Sequence, residues 1–205
     1  MAAPACILFD LDHTLTDYDH ERRVQALAQR IGFSPASVHA ELFTSGLERE
    51  TDLGLHDPEG HARAISRRLG VPVTLQDCIV ARAAAMTPYP EMLELVRELS
   101  GRATLAILTN NGLLVRDHFA AICPELAEFF GDRVFCSALF KLAKPDPAVF
   151  LACAERLQIA PERILFTDDK AANADGARVA GLQGHHFHDA ATLRAELVAN
   201  GLLAS

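Results

Sequence analysis

The 205-residue sequence contains no Cys-x-x-Cys pair. Its five cysteines, Cys6, Cys78, Cys123, Cys136 and Cys153, stand singly, which argues against a zinc site or a dithiol redox motif. Most have apolar neighbours and read as small core residues. A basic excess is missing too. Nineteen Lys and Arg face 27 Asp and Glu, for a formal net charge of −8. That balance argues against nucleic acid or an anionic membrane surface as a partner. A small phosphorylated metabolite remains admissible, because local charge at a site overrides the global balance. No apolar run is long enough to cross a bilayer. Met1-Ala2-Ala3-Pro4 shows neither a basic start nor a long apolar stretch, so no secretion signal is expected and a reducing cytoplasm is the expected location. Internal repeats and low-complexity tracts are also absent. What is present is a half-hydrophobic chain, long enough for one domain with an insertion or two small domains.

The apolar run Ala5-Cys6-Ile7-Leu8-Phe9 has the length and composition of a buried strand. Helical periodicity follows. Val24, Leu27, Ala28 and Ile31 fall at i, i+3, i+4 and i+7 before Gly32. Ser34-Pro35 reads as a cap with Pro at the first helical position, and Val38, Leu42 and Phe43 supply an apolar side. A polar stretch runs from Ser45 to Gly60, with Pro58 as a new helix start. Ala62, Ile65 and Leu69 then line one face before Gly70, and Ile79, Ala83 and Met86 mark another helix. Residues 16–87 thus read as helices without a strand.

From Thr87-Pro88 onward the pattern alternates. A helix carries Met92, Leu95, Val96 and Leu99, and Thr104–Leu108 is a continuous apolar strand of the parallel-sheet kind. Further strands are expected at Arg133–Cys136, Ile164–Thr167 and Gln183–Phe187. Helices are expected at Leu113–Ala121, Pro147–Leu157 and Ala171–Ala180. Such alternation implies right-handed crossovers and an α/β, Rossmann-like, doubly wound parallel sheet. The expected division is a core of residues 1–15 and 88–205, interrupted by an all-helical insertion at 16–87.

Each of the best strands ends in chemistry. Asp10 and Asp12 follow the first, Thr109-Asn110-Asn111-Gly112 the second, and Asp168, Asp169 and Asn173 the strand at 164–167. Lys144-Pro145-Asp146-Pro147 opens a helix between the last two. Three carboxylates in the eight residues Asp10–Asp17 repel one another, so a fold tolerates them best around a cation. In parallel, adjacent strands these groups gather at one sheet edge, where open α/β sheets bind ligands. Carboxylates, a hydroxyl, an amide and a lysine together suit a divalent cation and a phosphate.

With these residues the chain resembles the haloacid dehalogenase superfamily, in its magnesium-dependent phosphatase branch. Phe9-Asp10-Leu11-Asp12-His13-Thr14 looks like the first motif, Thr109-Asn110 the second, Lys144-Pro145 the third, and Phe166-Thr167-Asp168-Asp169 with Asn173 the fourth. The likeness covers most of the chain and keeps all four in order. The insertion is similar to the small C1-type helical cap of this family. Cys123-Pro124-Glu125-Leu126 and the stretch from Asp168 to Ala177 further resemble the subgroup of small sugar-phosphate phosphatases that includes alpha-D-glucose-1-phosphate phosphatase.

The resemblance implies a role for each residue. Asp10 is the nucleophile that forms an aspartyl-phosphate. Asp12 is the general acid and base, and its presence argues against carbon–halogen cleavage. Mg2+ is held by Asp10, the Asp12 backbone carbonyl and the Asp168-Asp169 pair, with Asp169 favoured by alignment. Thr109 and the Asn110 amide hold phosphate oxygens, and Lys144 places positive charge on the transferring group. Thr14 supports the turn. The expected substrate is a small phosphomonoester, with sugar phosphates ahead of nucleotides, and the protein a monomer or homodimer. A phosphomutase would share every core residue, and a non-catalytic binding protein keeping the fold is the alternative from another class. Gly184-His185-His186-Phe187-His188 reads as a strand terminus rather than a metal cluster. His13 faces the cleft or serves the turn. Glu48, Arg49 and Glu50 read as a solvated helix face, with contact to substrate hydroxyls as the alternative.

Overall fold

The computed structural model describes residues 3–204, so Met1-Ala2 of the N-terminal reading and Ser205 lie outside the described residues. Seven strands form among them: β1 (Cys6–Phe9), β2 (Thr16–Tyr18), β3 (Met86–Pro88), β4 (Thr104–Thr109), β5 (Val134–Cys136), β6 (Ile164–Asp168) and β7 (Gln183–His186). Five are parallel in the order β5-β4-β1-β6-β7. β1 is central, and its last residue Phe9 stands opposite Ile107 of β4 and Thr167 of β6. All four of its residues are buried, as a strand covered on both faces requires.

Alternation along β1 separates two apolar layers. Ile7 and Phe9 join a large core with Val96 and Leu99, whereas Cys6 and Leu8 join a second core with Val149, Phe150 and Cys153. All five cysteines are buried and unpaired. No helix among the described residues is long and apolar enough to cross a membrane.

Between β2 and β3 lie α1 (His20–Ile31), α2 (Pro35–His39), α3 (Leu47–Asp52), α4 (Pro58–Leu69) and α5 (Leu75–Ala84). Two features of this segment differ from the sequence expectation. Its ends are not helical: Thr16 pairs with Pro88 and Tyr18 with Met86, making an antiparallel two-stranded ribbon. These strands are three residues long, too short to show a periodicity, and only pairing at long range reveals them. The polar stretch after Ser45 also contains α3, whose Leu47 and Thr51 share one buried face four residues apart. Other boundaries follow the expected chemistry. Gly32 and Gly70 end α1 and α4 in the left-handed conformation, and Asp19 caps α1 through the amides of Glu21 and Arg22. Ser34 precedes α2 but makes no side-chain capping bond, and the chain runs on through a π-helical turn at Ala40–Thr44.

The remaining helices are α6 (Pro90–Leu99), α7 (Leu113–Asp117), α8 (Phe119–Ile122), α9 (Pro124–Phe130), α10 (Ser137–Phe140), α11 (Pro147–Leu157), α12 (Ala171–Val179) and α13 (Ala190–Ala199). The single helix expected at Leu113–Ala121 is two, because His118 leaves helical geometry between them.

Candidate active site

β1, β4 and β6 run parallel and side by side, so their carboxyl ends bring Asp10, Thr109 and Asp168 to one edge of the sheet. Lys144 reaches in from the loop before α11. It is buried, and its Nζ donates to Asp10 Oδ1 and to Asp168 Oδ2, both at 2.6 Å, and to the Leu108 carbonyl at 2.9 Å. The Lys144 backbone is itself pinned. Its amide donates to Asn110 Oδ1 and its carbonyl accepts from Asn110 Nδ2, both at 2.9 Å. Gly176 of α12 permits this loop to lie close: a Cβ there would meet the Pro145 carbonyl oxygen at 2.2 Å.

The two aspartates of the fourth motif differ. Asp168 has both oxygens engaged, by Lys144, by Asn173 Nδ2 at 2.9 and 3.0 Å, and by the Lys170 amide. Asp169 Oδ1 is buried and has no hydrogen-bond partner. One carboxylate oxygen from each of Asp10, Asp168 and Asp169 falls within 4.8 Å of the others. Burial pushes the Asp10 carboxyl up to about 7, against the opposing pull of Lys144 and with a further push from Asp168. Burial and the neighbouring Asp168 raise Asp169 as well. Burial lowers the Lys144 ammonium, but the charges of Asp10 and Asp168 outweigh it and the group stays protonated. An oxygen-only, acid-crowded site with one orphaned oxygen fits a hard divalent cation such as Mg2+.

Asp12 faces the inserted segment. Arg82 Nη2 donates to both its oxygens at 2.7 Å, and Asn111 Nδ2 donates to Oδ2 at 3.0 Å. Burial raises the Asp12 carboxyl, yet the Arg82 charge and these hydrogen bonds prevail and hold it below the ordinary carboxylate range. Asn111 Nδ2 also donates to Thr109 Oγ1 at 2.8 Å. A cavity of about 270 Å3 opens above Asp12, walled by His13, Tyr18, His20, Phe43, Asp52 and Lys170 among others.

All seven expected site residues lie on this edge: Asp10, Asp12, Thr109, Asn110, Lys144, Asp168 and Asp169. The Asn110 side chain anchors the lysine loop. Glu48 departs from the solvated face expected of it. Its carboxylate takes two hydrogen bonds from buried Arg23, at 2.8 and 3.0 Å, and borders the cavity. Sequence reasoning missed Arg82, and it named Asn111 at the strand end without giving it a role. The signal for Arg82 was present, as an arginine on the same helical stripe as Cys78 and Ile79. The histidine run behaves as a strand end: His186 Nε2 lies 3.0 Å from the Asp169 carbonyl, with the His188 ring 4.2 Å away. Among the described residues the only set of three metal-ligating groups is Asp10, Asp168 and Asp169.

A family model described as haloacid dehalogenase-like hydrolase matches residues 4–181. The chain belongs to the haloacid dehalogenase-like hydrolase family. Its relatives include phosphatases. Phosphatase MT3486 of Mycobacterium tuberculosis is 27% identical over 187 residues, covering 88% of this chain and 86% of that protein. Glyceraldehyde 3-phosphate phosphatase of Methanopyrus kandleri is 26% identical over 176 residues, covering 80% and 75%. The fold is shared with a haloacid dehalogenase family enzyme from Bacteroides thetaiotaomicron, solved in complex with magnesium and inorganic phosphate. The TM-score is 0.74 at 22% identity, over 93% of this chain and 98% of that one.

Proposed function

We propose that this hydrolase cleaves a small phosphomonoester, a sugar phosphate before a nucleotide, by way of a phosphorylated Asp10. The observation that supports this most is the Asp10–Lys144–Asp168 chain at the end of the central strand, where Lys144 joins two carboxylates at 2.6 Å each. In this reading residues 1–15 and 88–205 are the catalytic core and residues 16–87 the cap. Asp10, the Asp12 backbone carbonyl and Asp169 would hold Mg2+, with Asp168 beside them. Once bound, the ion would offset the negative charge gathered between phosphate and carboxylates.

Asp10 attacks phosphorus in line with the leaving oxygen. The P–O bond to the alcohol breaks as a bond to Asp10 forms, and Asp12, carrying a proton that it must hold against the pull of Arg82, gives it to the leaving oxygen. Asp12, now ionised, takes a proton from water, whose oxygen attacks the phosphorus and releases phosphate and free Asp10. Lys144 and the hydroxyl of Thr109 face the transferring group, and phosphoryl transfer depends on such positioning and charge. Asp168 orients Lys144 and is itself oriented by Asn173. The 270 Å3 cavity suits a metabolite rather than a phosphoprotein. Five buried, unpaired cysteines accord with a reducing cytoplasm.

The test is release of inorganic phosphate from a panel of sugar phosphates and nucleoside monophosphates. Asp10→Asn should lower turnover by more than about 10³-fold while the protein stays folded at the assay temperature, as its circular dichroism would show. EDTA should abolish activity and added Mg2+ restore it. A near-normal rate for Asp10→Asn removes the covalent route, and activity indifferent to EDTA removes the metal.

A further inference from the structure

Arg82 has no part in the steps above, yet it is one of the largest fully buried side chains in the molecule, with only 1% of its surface exposed. It lies near the end of α5, within the inserted segment, whereas its partner Asp12 follows β1 in the sheet. One nitrogen, Nη2, reaches both Asp12 oxygens at 2.7 Å. Tyr18 lies under the guanidinium, 3.9 Å from ring centroid to Cζ, and fixes its plane from a second side. The other donors, Nε and Nη1, are buried without a hydrogen-bond partner. The grip on Asp12 is therefore the only hydrogen bonding this side chain makes among the described residues. A buried arginine kept for stability is expected to satisfy its donors. This one leaves two nitrogens orphaned and directs the third at the acid/base group.

We infer that Arg82 is a positioning residue for the general acid and base. It fixes the rotamer of Asp12 from the inserted segment and takes up the negative charge that Asp12 acquires in the first step. There the P–O bond to the alcohol breaks, the electron pair stays on the leaving oxygen, and that oxygen receives the Asp12 proton. The carboxylate so formed faces Nη2. A consequence is that the acid/base is complete only while α5 is docked on the sheet. The inference rests on the phosphatase reading above.

The test compares kcat/KM, which reports the steps up to phosphorylated enzyme, for two esters. One is an alkyl phosphate that the wild type turns over, taken from the panel above. The other is 2,4-dinitrophenyl phosphate, whose leaving group needs no proton. Arg82→Met should lower kcat/KM by about 10²-fold for the alkyl ester and by less than about 5-fold for the dinitrophenyl ester. Arg82→Lys keeps the charge without the planar fork and should show the same split, smaller; it carries the comparison if Arg82→Met does not fold. In an Asp12→Asn background, changing Arg82 should alter the alkyl rate by less than about 3-fold. Equal losses on the two esters, or full additivity with Asp12→Asn, would overturn the inference. Unimpaired turnover by Asp10→Asn would instead remove the phosphatase reading, so the two failures are distinguishable.

Discussion

Lys144 is buried between two carboxylates and makes no use of solvent. Its ammonium has three donors, and all three are taken: by Asp10, by Asp168 and by the Leu108 carbonyl. Removing one member of such a buried set leaves the others uncompensated, which costs more than the set contributes when intact. Lys144→Met should thus lose stability as well as activity, by about 3–5 kcal/mol near neutral pH. Because burial already raises Asp10 to about 7, acidification protonates it first, and the deficit should shrink as pH falls from 7 toward 5. Urea unfolding of both proteins at pH 5 and pH 7.5 measures this. A deficit that stays constant or widens at pH 5 contradicts the account.

The elements most legible in the sequence were those whose signal is local. β1, β4 and β6 are apolar runs bounded by polar residues, and α1 and α4 carry an apolar stripe between a capping aspartate and a left-handed glycine. The site was legible for the same reason, since Asp10, Thr109 and Asp168 sit at the ends of such strands. Residues whose roles depend on elements distant in sequence were not legible. β2 meets β3 across about seventy residues, and Arg82 meets Asp12 across the same gap. Gly112 is a third case. It precedes α7, and a Cβ there would meet Thr51 Cγ2 of α3 at 2.3 Å. That close approach joins the inserted segment to the loop carrying Thr109 to Asn111. Gly112→Ala should cost about 1–3 kcal/mol through overpacking and raise KM. Thr51→Ser deletes the obstructing methyl but keeps the hydroxyl that donates to Leu47 and contacts His61. Steady-state kinetics of the double variant should therefore recover most of the loss; strict additivity would show that the collision is not the cause.

Across the whole molecule, stability and pH are linked through groups far from Asp10. His61 of α4 is buried, 2.9 Å from the Thr51 hydroxyl and 3.8 Å from Glu48. Burial pushes its imidazole down to about 4, against the pull of Glu48. The fold therefore holds His61 neutral, while the unfolded chain accepts a proton near pH 6.5. Stability from this group is complete above 6.5 and is lost as pH falls toward 4, by up to about 3 kcal/mol. His61→Gln should flatten the fall in unfolding midpoint between pH 6.5 and 4.5, with the wild type as reference. An unchanged slope would assign the acid sensitivity to other groups.

β1 divides its four side chains between both apolar layers and hands the chain on directly to Asp10. Asp10 is thus anchored to a strand whose side chains belong to both halves of the interior. A fragment that kept only one of the two layers would leave two of the four β1 side chains uncovered, and with them the footing of Asp10.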